Sequence, residues 1–284
     1  MRFYKAYVEI TNICGLACSF CPAKTIPNTT MSLENFSKVL EQLKPYTNEV
    51  ALHVMGDPIV VSNLKDYLDI CKQKSIKANI TTTGYFLNKI DPEILLHDAI
   101  KQINFSLNSF NKNDLTISFE DYMEPIIAFA REKTRVNTKS FINFRLWNID
   151  DKASEDTYNT KVLNYLSDIY KIDISNATGK ESIRLDNKVL LNFDVYFQWP
   201  SLKNDHFSHG YCHGLSKQIA ILANGTVVPC CLDGEGVIDL GNIFETSLKD
   251  ILESKRAENI VQGFKIKKAV EELCQKCSYK DRFV

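Results

Sequence analysis

The stretch Thr11-Asn12-Ile13-Cys14-Gly15-Leu16-Ala17-Cys18-Ser19-Phe20-Cys21-Pro22 decides how the rest of this chain is read. Its cysteines are spaced CxxxCxxC and follow Phe3-Tyr4-Lys5-Ala6-Tyr7-Val8-Glu9-Ile10, whose aromatic and β-branched content predicts a strand, with Thr11-Asn12 opening a loop. A zinc site normally draws four ligands from paired cysteine motifs. A cubane iron–sulfur cluster has four irons, so a cysteine triplet on one short loop leaves one iron open to another ligand. Open iron is where chemistry can happen; zinc or a purely structural loop is the competing reading.

Working outward, 284 residues exceed the usual single-domain size and suit one barrel-like domain plus an appendage. A hydrophobic content of 44% and a charged content of 24% leave ample material for a core. A net charge of −1 gives no electrostatic footprint for nucleic acid, so a large RNA substrate is disfavoured. The first residues run straight into a strand without a signal-peptide pattern, and no run of about 18 apolar residues occurs. The expectation is a cytoplasmic protein that uses neither membrane nor nucleic acid. In a reducing compartment its nine cysteines are expected as metal ligands rather than disulfides.

Strand-like and helix-like segments alternate through the first half, which argues for parallel βα units. Strands are expected at residues 3–10, 50–55, 76–82, 102–107 and 141–147, with a sixth at 190–197. Between and after them, residues 33–43, 64–74, 92–99, 121–133, 160–169 and 247–262 read as helices from their apolar spacing. Polar loops occupy 148–152 and 176–181, and Ala223-Asn224-Gly225 between 218–222 and 226–228 marks a hairpin. The fold class is therefore α/β: a partial (β/α)6 TIM-like barrel over residues 1–205, its active site at the C-terminal strand ends, then a small β-hairpin-plus-helix domain over 206–284.

The cysteine triplet resembles the signature of the radical S-adenosylmethionine (radical SAM) enzymes. That resemblance implies a [4Fe-4S] cluster on Cys14, Cys18 and Cys21 whose open iron is chelated by the methionine moiety of S-adenosylmethionine. It implies one-electron cleavage of the sulfonium to a 5′-deoxyadenosyl radical, which removes hydrogen from a substrate carbon. The protein's task is then to hold cofactor and substrate in line. The family places an apolar residue such as Phe20 beside the adenine. His53-Val54-Met55-Gly56-Asp57-Pro58 is similar to the family's Gly-Gly-Glu-Pro motif, with Met55 for the first glycine and Asp57 for the glutamate, and implies that Gly56 and Asp57 receive the methionine amino group. Thr81-Thr82-Thr83-Gly84 is similar to Thr-Asn-Gly, with Thr83 for the asparagine. Ser106-Leu107-Asn108-Ser109 is similar to Ser-Leu-Asp, which contacts ribose and carboxylate; Asn108 in place of Asp removes a charge-assisted bond. On the fifth strand Arg145 shares a face with Asn143 and Trp147 by alternation, either paired with a carboxylate of cofactor or substrate or exposed at the strand end. No Gly-x-Ile-Pro motif is evident.

Cys212, Cys230, Cys274 and Cys277 form a second set. With Gly225-Thr-Val-Val-Pro-Cys230-Cys231 and Leu240-Gly241-Asn242-Ile243 it resembles the SPASM/twitch extensions of radical SAM enzymes, in the shorter twitch form. The resemblance implies an auxiliary [4Fe-4S] cluster saturated by four thiolates, with an electron-transfer role. A four-cysteine zinc site is the alternative. Cys71 falls in a helical pattern as a core thiol, whereas Cys231 is a buried thiol or a hydrogen donor to a substrate radical. His206, His209, Tyr211 and His213 crowd the approach to Cys212; His206 and His209 are candidate bases or solvated loop groups.

The reading that unites these features is a radical SAM oxidoreductase acting on a small or medium metabolite, with the auxiliary cluster as electron acceptor and a flavodoxin- or ferredoxin-type reductant. Its layout resembles that of the twitch dehydrogenase of aminoglycoside biosynthesis. A peptide- or protein-modifying radical SAM maturase is the second reading, and a non-catalytic iron–sulfur electron carrier or zinc-binding protein is the alternative of another class.

Overall fold

A computed structural model describes residues 2–174, 177 and 180–283 of the chain. In chain order its regular elements are β1 (Lys5–Val8), α1 (Leu33–Leu43), β2 (Glu49–Ala51), α2 (Leu64–Gln73), β3 (Lys77–Thr82), β4 (Ile100–Ser106), α3 (Phe119–Arg135), β5 (Phe141–Ile149), α4 (Asp156–Tyr170), β6 (Ser182–Asp186), β7 (Val189–Val195), β8 (Gln218–Ile221), β9 (Val227–Val228), α5 (Leu248–Leu252), α6 (Lys255–Lys265) and α7 (Glu272–Gln275). Together they form a mixed β-sheet with flanking helices, followed by a C-terminal region of short helices. None of the described helices is long and apolar enough to cross a membrane.

The chain divides into two compact units, Met1–Gly15 with Cys21–Asn79 and Phe197–Val284, and Leu16–Phe20 with Ile80–Tyr196. In the first unit the strand order is β3-β2-β1-β8-β9. β1 pairs in parallel with β2 on one side and β8 on the other, and only β8–β9 is antiparallel. Helix α1 starts at Ser32, whose hydroxyl accepts from Asn35 N, and buries Phe36, Val39, Leu40 and Leu43. Helix α2 buries Leu64, Tyr67, Leu68 and Cys71; burial pushes the Cys71 thiol up to about 12, as suits a core residue. In the second unit the order is β3-β4-β5-β7-β6, parallel from β4 to β7, with β6 antiparallel at the edge.

Paired residues in neighbouring parallel strands project to the same side, so the second unit's sheet has two unlike faces. Ile103, Phe105, Ile142, Phe144, Leu146 and Leu191 are wholly buried on one. The other carries Asn104 opposite Asn143, and Ser106 opposite Arg145 opposite Asn192. A polar ladder of this kind needs internal hydrogen bonds.

Several expectations are corrected. Residues 92–99 do not form an α-helix but a 3₁₀ turn, Pro92–Leu96, capped by the Asp91 carboxylate on Glu93 N. The helix expected over 247–262 is broken at Ser254, which ends α5 and whose hydroxyl caps α6. The strand expected over 50–55 stops at Ala51, because the chain then turns toward the cysteine loop. β8 forms the expected hairpin with β9 but also a parallel ladder with β1. β6 was not expected, although Ser182-Ile-Arg-Leu-Asp186 alternates polar and apolar residues. Half of the polar loop expected over 176–181 lies outside the described residues.

Candidate functional site

The cysteine loop is built from its base upward. At the end of β1, Glu9 is fully buried, and its carboxylate accepts from Met55 N at 2.8 Å and Ala223 N at 3.1 Å. One side chain thereby joins the exits of three neighbouring strands. Desolvation outweighs those N–H donors and the more distant Lys24, and raises the Glu9 pKa to about 7. Next, Asn12 Oδ1 accepts from Thr29 N, Asn12 Nδ2 donates to Pro27 O, both at 2.8 Å, and Lys24 Nζ donates to Asn12 O at 3.1 Å. Residues 22–30 are thus folded back on the start of the loop. Thr25 N donates to the Glu235 carboxylate at 3.1 Å, tying the same return to the segment after Cys231.

The segment after β2 docks here as well. Asp57 N donates to Ile13 O at 3.0 Å, and a β-carbon on Gly56 would lie 2.0 Å from Thr11 O. Only glycine allows that approach. The Asp57 side chain is 2% exposed and accepts from Ile59 N at 3.2 Å, which caps the turn Pro58–Val60. Cys14 is half-buried and Cys21 exposed in this unit.

In the second unit Cys18 is buried, and Asn113 Nδ2 donates to its sulfur at 3.0 Å. Asn113 Oδ1 accepts from Ala17 N at 3.0 Å, and Ser19 N donates to Lys112 O at 3.0 Å, so residues 111–113 grip the loop around Cys18. A donor on sulfur favours thiolate, the form that ligates iron. Phe20 meets Tyr196 edge-on at 6.5 Å. Thr83 is 8% exposed and its carbonyl accepts from Tyr122 Oη at 2.6 Å; Gly84 follows at φ 78°. Ser106 precedes a 3₁₀ turn, Leu107–Ser109, that buries Asn108. Arg145 lies 4.5 Å over the Trp147 ring, so the guanidinium is stacked. Beneath it Asn104 Nδ2 donates to Ile80 O and Thr81 Oγ1, so Asn104 Oδ1 accepts from Asn143 Nδ2. That network fixes the Asn143 amide with its own oxygen buried and unpartnered, as is Asn192 Oδ1.

The second cysteine set belongs to the first unit. Cys212, Cys230, Cys274 and Cys277 line one recess together with Leu273, Phe264, Tyr279 and Lys280. Burial chiefly, and one another's charge in addition, push the thiols of Cys212, Cys230 and Cys274 up. Mutual repulsion among buried thiolates is what a cationic iron–sulfur core relieves, so the donor set fits such a group. Among the described residues no group of three or more acidic, histidine or cysteine side chains is closed around a single metal-ion position. Asp233, 3% exposed, accepts from Val237 N and Ile238 N and thereby shapes the segment after Cys230.

The remaining candidates stand apart from one another in what they touch. Cys231 has its thiol pushed up to about 11 by burial, against a hydrogen bond with the Tyr7 side chain. His206 Nε2 lies 3.0 Å from Asp281 Oδ2 and 3.1 Å from Ser208 Oγ. His209 packs edge-on against Phe207, and His213 bonds Tyr211 Oη and packs on Phe283. Sequence reasoning missed Glu9, Asn113 and Lys280. The only available signal was polar character at strand or loop positions.

Two family models match the chain: the radical SAM superfamily over residues 8–151, and an iron–sulfur cluster-binding domain, SPASM, over residues 212–278. Among solved structures, BtrN in complex with AdoMet and 2-DOIA is similar at 16% identity and a TM-score of 0.62, covering 98% of this chain and 94% of that one. Streptococcus suis SuiB bound to precursor peptide SuiA is similar at 20% identity and a TM-score of 0.62, covering 99% and 73%. Native anSMEcpe with bound AdoMet is similar at 13% identity and a TM-score of 0.59, covering 97% and 87%. At these identities the likeness is one of fold. No curated protein matches the sequence.

Proposed function

The chain belongs to the radical SAM superfamily, and on that premise we propose that it oxidises a small or medium polar metabolite by removing hydrogen from one of its carbons. The observation that carries this reading is the family match over residues 8–151, which contains the cysteine triplet on the loop after β1. Such membership makes the chain an enzyme of oxidoreductase type whose domains imply iron–sulfur and S-adenosylmethionine binding.

Cys14, Cys18 and Cys21 would hold a [4Fe-4S] cluster, and Cys212, Cys230, Cys274 and Cys277 an auxiliary one. When bound, these groups with S-adenosylmethionine supply a 5′-deoxyadenosyl radical and a sink for the second electron. Gly56 and Asp57 receive the methionine ammonium, Phe20 lies beside the adenine, Thr83 contributes to the cofactor site, and Ser106 and Asn108 hold ribose and carboxylate. Arg145 pairs with a carboxylate of cofactor or substrate. His206 or His209 takes the hydroxyl proton in an oxidation; Cys231, kept as a neutral thiol by burial, would instead return a hydrogen atom in an epimerisation. Asn143 Oδ1 and Asn192 Oδ1, buried acceptors without donors, support a substrate bearing hydroxyl or amino groups.

We also assign residues 1–205 to a partial barrel and 206–284 to a twitch domain, with a flavodoxin- or ferredoxin-type reductant and a cytoplasmic setting. The test is incubation of anaerobically reconstituted, reduced protein with S-adenosylmethionine and chromatographic measurement of 5′-deoxyadenosine. Formation of 5′-deoxyadenosine is expected. Its absence from protein with verified clusters overturns the reading in favour of an electron carrier. Deuterium transfer into 5′-deoxyadenosine from labelled peptide, but from no labelled polyol or amino sugar, turns it toward the maturase.

A further inference from the structure

Lys280 is 2% exposed and lines the same recess as the four C-terminal cysteines. Its ammonium donates to Cys277 O at 2.7 Å and Gln275 O at 3.2 Å. The carboxylate within ion-pair range is Asp281, 3.9 Å away, and that side chain is 42% exposed. Asp281 is engaged elsewhere, accepting from Ser208 Oγ at 2.9 Å and facing His206. Two carbonyls and a distant, solvated carboxylate satisfy an ammonium's hydrogen bonds without neutralising its charge. A buried lysine in that position needs an anion beside it.

The anionic groups lining the recess are Asp233, whose carboxylate already accepts from Val237 N and Ile238 N, and the cysteine set. Four thiolates around a doubly cationic four-iron core carry a net charge of −2, and one-electron reduction makes it −3. A fixed positive charge in the same low-dielectric recess favours the more negative state. Resting on the auxiliary-cluster reading above, we infer that Lys280 is the built-in counter-cation of this centre and raises its reduction potential, making it a better acceptor for the electron left on the substrate. One electron enters the centre from the substrate; no bond forms at Lys280.

The alternative is a strut that merely ties the 3₁₀ turn Ser278–Phe283 to the carbonyls of Gln275 and Cys277. A strut would not set a potential. The experiment is a redox titration followed by electron paramagnetic resonance on full-length protein whose first centre is removed by Cys14→Ala, Cys18→Ala and Cys21→Ala. Against that background Lys280→Met is expected to lower the midpoint by a factor of at least ten in the one-electron equilibrium, about 59 mV. Lys280→Arg, which keeps the charge, is expected to stay within that margin. Lys280→Gln, which keeps a donor but not the charge, should follow the methionine and stands in for it if the methionine variant fails to fold. An unchanged midpoint in a neutral variant that retains its iron overturns the role of Lys280. A parent protein without an iron–sulfur signal overturns the auxiliary-cluster reading itself, a failure separately recognisable by iron and sulfide analysis.

Discussion

Gly56 stands where any β-carbon would lie 2.0 Å from the Thr11 carbonyl oxygen, so its side-chain hydrogen is a condition of the docking between the β2 exit and the cysteine loop. Gly56→Ala is expected to cost at least about 2 kcal/mol in urea unfolding, as backbone must move rather than a flexible side chain. Glu9, nearby, gives a pH signature. Its folded pKa of about 7 lies above the ordinary 4.5, so the folded state holds the proton more tightly. The stability this confers is complete below about pH 4.5 and is lost as pH rises through about 7, by up to about 3 kcal/mol. The gap between wild type and Glu9→Gln, read from urea midpoints, should accordingly narrow from pH 5 to pH 8. A gap that stays constant would show that the carboxylate is ionised in the folded protein throughout. Gly56 was marked in one dimension by the motif similar to Gly-Gly-Glu-Pro, though its approach to Thr11 was not; Glu9, a glutamate at a strand end, carried no signal of its burial.

The loop between β1 and α1 has no regular structure, yet Asn12 gives it a closed base through bonds to Thr29 N and Pro27 O. Asn12→Ala removes both and leaves partly buried backbone groups without partners, at a cost of about 1–3 kcal/mol. The variant should also lose iron from the first centre faster on gel filtration than wild type, while the second centre keeps its own. At the start of α1, Ser32→Ala removes the helix cap and should cost about 1 kcal/mol in urea unfolding. Elements with strong amphipathic spacing, such as α1, α2 and α3, were legible from sequence. Those set by competing local bonds were not. Ser254 could equally sit inside a helix or cap one, and Pro92 opens a 3₁₀ turn as readily as an α-helix. β6 pairs antiparallel with the edge of β7, and its Ser-Ile-Arg-Leu-Asp alternation is short enough to be passed over in a polar stretch.

Across the chain, the two cysteine sets make separable predictions. Cys14→Ala should abolish S-adenosylmethionine cleavage, whereas Cys274→Ala should spare cleavage and stop substrate turnover, with cleavage read from 5′-deoxyadenosine and turnover from substrate consumption. Equal loss of cleavage in folded Cys274→Ala would remove the second centre from electron transfer. Iron analysis should return about eight irons per chain in reconstituted wild type, against about four and a zinc were the second set a zinc site. The superfamily, the loop that carries its signature and the SPASM-like cysteines were readable from spacing, because the distance along the backbone between ligands on one loop is a covalent quantity. What surrounds those ligands was not readable. Glu9 meets Ala223, Asn113 meets Cys18, and Lys280 shares a recess with Cys212 across long stretches of intervening chain. Burial and the identity of a partner are properties of folded proximity, and they alone set which carboxylate holds a proton, which sulfur receives a hydrogen bond and which ammonium faces thiolates instead of water.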